Sequence, residues 1–240
     1  MDELLLRIRA DLQAQSNQQT KAAGDRYFKQ PVLAYGVKSS QVNAISKSYL
    51  KEIKTAKLSK AEILALCSAL WASGYQEEAF VACNFTESLR KVYSPDDFDL
   101  FANWVADHVD NWAKCDTLCN HSVGDLLMAY PDLAERLLDW AKADNLWQKR
   151  AAAVSLIIPL RRGLFQSLAF QIALILLEDP EDLVQKGYGW MLKAASEHSE
   201  QSLGEVFDFV MANKDRMPRT ALRYAIEKMP DELKKQAMAR

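Results

Sequence analysis

Apolar residues recur at three- and four-residue steps along almost the whole chain, and no stretch longer than a few residues alternates strictly as a half-buried strand would. Ala61, Leu64, Ala65, Ser68 and Trp71 fall on one helical stripe, and so do Leu133, Leu137, Trp140 and Ala141. Helix starts are marked by capping or first-turn residues: Ser59, Ser94-Pro95-Asp96-Asp97, Tyr130-Pro131-Asp132, Asp179-Pro180-Glu181, Met217-Pro218 and Met229-Pro230-Asp231. These signals predict about fourteen helices, over 2–16, 20–29, 39–55, 59–73, 75–92, 95–109, 111–129, 131–143, 146–161, 163–178, 181–197, 199–213, 218–228 and 231–239.

From residue 59 the helices pair, with pairs beginning near 59, 95, 131, 163 and 199, a spacing of 32 to 36 residues. That is the period of an α-solenoid built from helical hairpins, each of which hides its second face only against a neighbour. The expected fold is therefore all-α, a curved solenoid of degenerate, HEAT-like hairpins with a concave face. The expected layout is one domain over 1–240, with N-terminal helices over 1–55, repeat pairs over 59–228 and a C-terminal cap over 230–240.

Composition narrows the class. The 240 residues are 49% hydrophobic, which excludes a disordered chain. Eight Gly and seven Pro are too few for the turns of a sandwich or barrel. Cys67, Cys83, Cys115 and Cys119 do not read as a disulfide framework at this length, and a reducing cytoplasm is the expected setting. MDELLLRIRADLQ reads as an amphipathic helix with no signal-peptide pattern. The longest nearly uncharged run, 163–177, is too short to span a membrane.

Unusual side chains concentrate over 107–119. Asn111 is placed to cap a helix on which Trp112 and Asp116, four apart, share a face. An indole beside a carboxylate can hold a cationic or cation-forming substrate. A core Trp beside a solvated Asp gives the same pattern. Trp147-Gln148-Lys149-Arg150 carries a basic pair into an apolar helix, and Lys186-Gly187-Tyr188-Gly189-Trp190 sets two glycines inside one. The glycines imply close helix packing, or room for a ligand beside Tyr188 and Trp190. A zinc site from His108, Cys115, Cys119 and His121 has no usual spacing, and buried thiols are the expected reading. No phosphate loop or dinucleotide motif is present in the sequence.

Taken in order, five stretches resemble the AlkD-like DNA alkylation repair proteins, HEAT-like solenoids that act as DNA glycosylases. They are Asp25-Arg26-Tyr27-Phe28-Lys29 with Tyr35-Gly36-Val37-Lys38, Asn111-Trp112 with Asp116, Trp147-Gln148-Lys149-Arg150, Gln185-Lys186-Gly187-Tyr188-Gly189-Trp190, and 218–228. The resemblance implies a concave DNA-binding face with an active site of Trp112, Asp116, Arg150 and Trp190. It implies excision of purines alkylated at N3 or N7, typically 3-methyladenine and 7-methylguanine, from double-stranded DNA, in base excision repair. It implies no metal and no organic cofactor; a monomer is expected because a capped solenoid is commonly stable alone, and no membrane partner because no run is long enough to span one. Tyr27, Lys38, Lys149, Arg161, Lys186, Arg219 and Arg223 are the candidate DNA contacts.

The sequence departs from the family in its near-neutral charge and in Gln30-Pro31-Val32-Leu33-Ala34, which replaces an aromatic-rich stretch. The net charge of −2 hides a distribution: residues 87–145 carry 5 basic and 12 acidic groups, the rest 25 and 20. A local basic groove is compatible with that balance, and indiscriminate coating of DNA is not. Two other functions fit the scaffold. One is a non-catalytic binder of branched DNA, and the other is a solenoid adaptor for proteins.

Overall fold

The computed structural model describes residues 2–239; the two ends of the expected 1–240 domain, Met1 and Arg240, lie outside them. The described residues are all-helical, with no strand among them, as the periodicity predicts. No helix among the described residues is long and apolar enough to cross a membrane. The chain divides into two compact units, Met1–Ser94 with Ala102–Thr117, and Pro95–Phe101 with Leu118–Arg240.

The first unit holds α1 (Asp2–Ala14), α2 (Gln18–Asp25), α3 (Ser39–Thr55), α4 (Lys60–Trp71) and α5 (Gln76–Ser88). It also takes most of α6 (Asp97–Asp107) and of α7 (Trp112–Leu118). Helix α5 packs on α4 and α3, and α1 lies against all three. Ser59 caps α4 as predicted, with Glu62 closing a capping box. The buried sector of α4 is broader than the predicted stripe: Ile63, Leu66, Cys67 and Leu70 join Leu64 and Trp71, while Ala61 and Ala65 face solvent. Trp71 stacks on Trp104 at 6.0 Å, and each of these large buried side chains contributes on the order of 2–3 kcal/mol by leaving water.

The second unit continues with a π-helical turn over Cys119–Val123 and α8 (Gly124–Ala129). Helices α9 (Leu137–Lys142), α10 (Leu146–Val154), α11 (Ile157–Arg161), α12 (Gln166–Ile175) and α13 (Asp182–Ser196) follow. Helices α14 (Glu200–Asn213), α15 (Arg219–Ala225) and α16 (Asp231–Met238) complete it. They stack in two rows. Helix α13 packs between α10 and α15 in one row, while α9 meets α12 and α14 meets α16 in the other. Phe170 and Phe209, stacked at 4.9 Å, join α12 to α14. This is the hairpin stacking that the 32- to 36-residue spacing predicts.

Several predicted helices are interrupted, each for a local reason. The 146–161 span breaks between α10 and α11 because Pro159 has no N–H for the Ser155 carbonyl and its ring opposes that carbonyl. The 163–178 span begins only at Gln166, because Gly163 (φ 77°) and Phe165 (φ 65°) turn the chain through the left-handed region. The 131–143 span opens as a 3₁₀ turn over Pro131–Arg136. The 111–129 span contains the π-helical turn, an irregularity that no sequence signal marks.

Candidate functional site

In the first unit, Asn111 caps α7: its Oδ1 accepts the Lys114 N–H at 3.1 Å. Trp112 and Asp116, both half-buried, therefore project from one side of α7. The indole is held from the far end of α2. Trp112 Nε1–H donates to the Tyr27 carbonyl at 3.3 Å, and Phe28 stacks on the indole at 5.4 Å and 24°. The Tyr27 ring is 76% exposed, so its backbone serves the protein while its side chain faces solvent. Lys38, also exposed, stands at the start of α3.

The chain between Phe28 and α3 has no regular structure, and its N–H groups are met by a residue that sequence reasoning missed. Glu77, in the first turn of α5, turns inward and is only 4% exposed. Its carboxylate accepts from Tyr35 N–H at 3.0 Å, Gly36 N–H at 2.8 Å and Val37 N–H at 2.9 Å. Gly36 has φ 82°, and a Cβ there would stand 2.4 Å from the Asn17 carbonyl, so glycine is required. Glu78 accepts from the Tyr35 hydroxyl at 2.7 Å and from Arg9 at 3.0 Å. Burial, then the bond to Glu78, pushes the Tyr35 phenol well above its ordinary value. Lys114 is fully buried and satisfied by Asp110 and the Gly74 carbonyl, which ties α7 to the α4–α5 turn.

In the second unit, Lys149 and Arg150 lie on α10, Lys186 and Trp190 on α13, and Arg219 and Arg223 on α15, all in the same row of helices. Arg150 is 5% exposed and donates to the Leu183 carbonyl. Gly187 faces it, and a Cβ there would lie in ordinary contact at 3.4 Å from Arg150 Cγ. Lys149 pairs with the nearly buried Asp179 at 2.9 Å, and Lys186 with Asp182 at 2.9 Å. Arg161 pairs with Glu197 at 3.3 Å. Arg219 and Arg223 are exposed, and no ion pair among the described residues engages them. Trp190 is half-buried.

Of the two glycines of α13, Gly189 is a packing device. A Cβ on Gly189 would stand 2.6 Å from Tyr224 Cβ and 2.7 Å from the Ala221 carbonyl, so α13 and α15 meet backbone to backbone. Tyr188 is fully buried with its hydroxyl on the Leu177 carbonyl, so of the two readings of this segment close packing holds at Tyr188. All four cysteines are buried thiols, and burial pushes Cys67 up to about 12. No group of three potential metal ligands occurs among the described residues.

A solved structure described as a predicted DNA alkylation repair enzyme from Enterococcus faecalis is similar to this chain, with a TM-score of 0.77 and 20% identity. The match covers 90% of this chain and 97% of that one, and at this identity the likeness is one of fold. No curated relative matches the chain. The sequence pattern of the DNA alkylation repair enzyme family, however, matches residues 8–229, from α1 to the turn before α16, so the chain belongs to that family and has a role in the repair of alkylated DNA.

Proposed function

We propose that the protein is a monofunctional DNA glycosylase that removes cationic N3- and N7-alkylated purines, such as 3-methyladenine and 7-methylguanine, from double-stranded DNA. The observation that carries this reading is the Trp112–Asp116 face of α7, braced by Phe28 and the Tyr27 carbonyl, in a chain of the alkylation repair family.

The chemistry suits these groups. An alkylated purine already carries positive charge, so the bond from its ring nitrogen to C1′ can break without a general acid, and the purine leaves neutral. Positive charge then builds on the deoxyribose. The Asp116 carboxylate stabilises it and orients a water, whose oxygen bonds to C1′ and whose proton passes to the carboxylate or to solvent. The face of Trp112 accepts the cationic sugar, and Trp190 offers a further aromatic face to the DNA. Arg150, fixed by the Leu183 carbonyl, supplies positive charge in a poorly hydrated place where it acts strongly on a backbone phosphate. Tyr27, Lys38, Arg161, Lys186, Arg219 and Arg223 contribute further contacts along the backbone, whereas Lys149 is already engaged by Asp179. The protein works as a cytoplasmic monomer without cofactor.

The test is release of 7-methylguanine from methylated duplex DNA by the wild type and by Asp116→Asn. The expected loss in the variant is roughly 10²- to 10³-fold, by analogy with removal of one electrostatic stabiliser from an active site. An inactive wild type that still binds duplex overturns the reading in favour of a non-catalytic binder, and an unimpaired variant overturns the role of Asp116.

A further inference from the structure

Three successive backbone N–H groups, at Tyr35, Gly36 and Val37, converge on one carboxylate. Concavities of this kind, built on a left-handed glycine, are anion sites in many proteins. Here the anion is internal: Glu77, in the first turn of α5, where a carboxylate also gains from the helix dipole. A solvated glutamate would satisfy α5 equally well. Instead the side chain is 4% exposed and both of its oxygens are spent on residues 40 to 42 positions away.

The segment so held is the one that reaches Trp112. It is fastened in its middle by Gln76 N–H to the Leu33 carbonyl at 2.9 Å, and at 35–37 by Glu77, with Glu78 on the Tyr35 hydroxyl at 2.7 Å. At its other end, Phe28 stacks on the indole and the Tyr27 carbonyl takes the indole N–H. No regular secondary structure lies between these two attachments. Tyr27 and Phe28 continue directly from α2, through Tyr27 N–H to the Gly24 carbonyl at 3.0 Å and Phe28 N–H to the Asp25 carbonyl at 3.1 Å, and Gly36 sits against the start of the same helix, where a Cβ would stand 2.4 Å from the Asn17 carbonyl, so the anchor at 35–37 bears on Phe28 and Tyr27 by seating α2. From this we infer that Glu77 is a positioning residue for the reaction: it fixes residues 27–37 and, through Phe28 and the Tyr27 carbonyl, the angle at which Trp112 presents its face. The inference rests on the glycosylase reading for its catalytic consequence, and on geometry alone for its structural one.

The experiment separates the two. The full chain is labelled with 5-fluorotryptophan, its six tryptophans giving resolved ¹⁹F signals, with Trp112 assigned by its loss in Trp112→Phe. Glu77→Ala and Glu77→Gln are compared with Glu62→Gln, which disturbs a helix-start carboxylate of α4 that touches nothing in 27–37. The Trp112 signal is expected to shift or broaden in both Glu77 variants and to stay in place in Glu62→Gln, while the Trp190 signal stays in place in all three. Amide exchange at 35–37 rises on the order of tenfold or more. Base release falls on the order of 10- to 100-fold in Glu77→Ala, less in Glu77→Gln, with affinity for intact duplex kept within about twofold. Should Glu77→Ala not fold, Glu77→Gln decides. A Trp112 signal unmoved in folded Glu77→Gln, with the 35–37 amides open, overturns the inference. A wild type that releases no base overturns the glycosylase reading and leaves the ¹⁹F result to judge the positioning on its own.

Discussion

Trp112 and Tyr27 lie 85 positions apart, and they are joined by one hydrogen bond, from the indole Nε1 to the Tyr27 carbonyl at 3.3 Å. The bond uses the tyrosine's backbone and leaves its ring exposed. An indole so tethered cannot rotate freely about its side-chain bonds, and a fixed aromatic face is what a transient sugar cation needs.

Trp112→Phe keeps an aromatic ring beside Phe28 but deletes the donor and part of the aromatic face. Base release is expected to fall by roughly tenfold, about 1.4 kcal/mol, the value of one hydrogen bond to a group held in place. Trp112→Ala, which removes the rest of the face, is expected to lose more. Single-turnover release from methylated duplex separates the two, and equal rates in Trp112→Phe and wild type would show the tether to be idle.

Gly189→Ala forces a methyl to within 2.6 Å of Tyr224 Cβ and 2.7 Å of the Ala221 carbonyl. Neither partner atom sits at the end of a flexible chain, so α13 and α15 must move apart. The expected cost is about 3 kcal/mol, a fall in Tm of roughly 6–12 °C for a chain of this size. Gly187→Ala meets Arg150 Cγ at 3.4 Å, an ordinary contact, and gains helix propensity, so its stability should stay within about 1 kcal/mol of wild type. Calorimetry on both variants checks the contrast.

What the sequence disclosed follows from the range of each interaction. The Asn111 cap, the Ser59 capping box and the all-helical class depend on neighbours within four positions, and all were legible. The break at Pro159 is equally local, but the apolar period continues through it and masks it. The glycines of α13 stood out as anomalies, but choosing close packing over ligand room required knowing that Tyr224 and Ala221 face Gly189. Glu77 was invisible: an early-turn glutamate ordinarily faces water, and nothing near it announces partners 40 positions away. Lys149 and Arg150 read as a basic pair on one helix, whereas one is neutralised by Asp179 and the other is drawn under α13 to Leu183.

Ser155 Oγ is buried with no hydrogen-bond partner among the described residues, at the point where Pro159 ends α10. A buried hydroxyl left unpaired costs on the order of 1 kcal/mol or more relative to its hydrated state. Ser155→Ala removes that cost with little change in volume. Urea unfolding should show a gain of about 1 kcal/mol, and a loss of similar size would reveal a bridging water at the site.

The four thiols are all buried, and burial holds Cys67 as a thiol up to about pH 12. The folded chain should therefore react with none of its cysteines at pH 8, since the thiolate is the nucleophile. Denaturant should release four equivalents to a thiol reagent. Fast reaction of any cysteine in the folded protein would contradict their placement in the core.

The basic residues of the α10–α13–α15 row divide by how each is already engaged, and salt dependence reads that division. Arg219 and Arg223 are exposed, with no ion pair engaging them among the described residues, so each can neutralise a phosphate and release a counterion. Replacing both with Gln should reduce the slope of log K against log salt by about 2, with stability unchanged. Lys149 is different. Its ammonium sits 2.9 Å from Asp179, whose side chain is 6% exposed, so Lys149→Met removes the charge partner of a carboxylate that water barely reaches and that keeps the Glu181 N–H at 2.9 Å. That variant is expected to lose about 2 kcal/mol of stability, discounted from the fully buried case because the lysine itself is 23% exposed, and to leave the salt slope nearly unchanged. Binding of undamaged duplex at several salt concentrations, with urea unfolding of the same samples, tests both halves. A large slope change in a stable Lys149→Met would mean that DNA displaces Asp179 from the lysine.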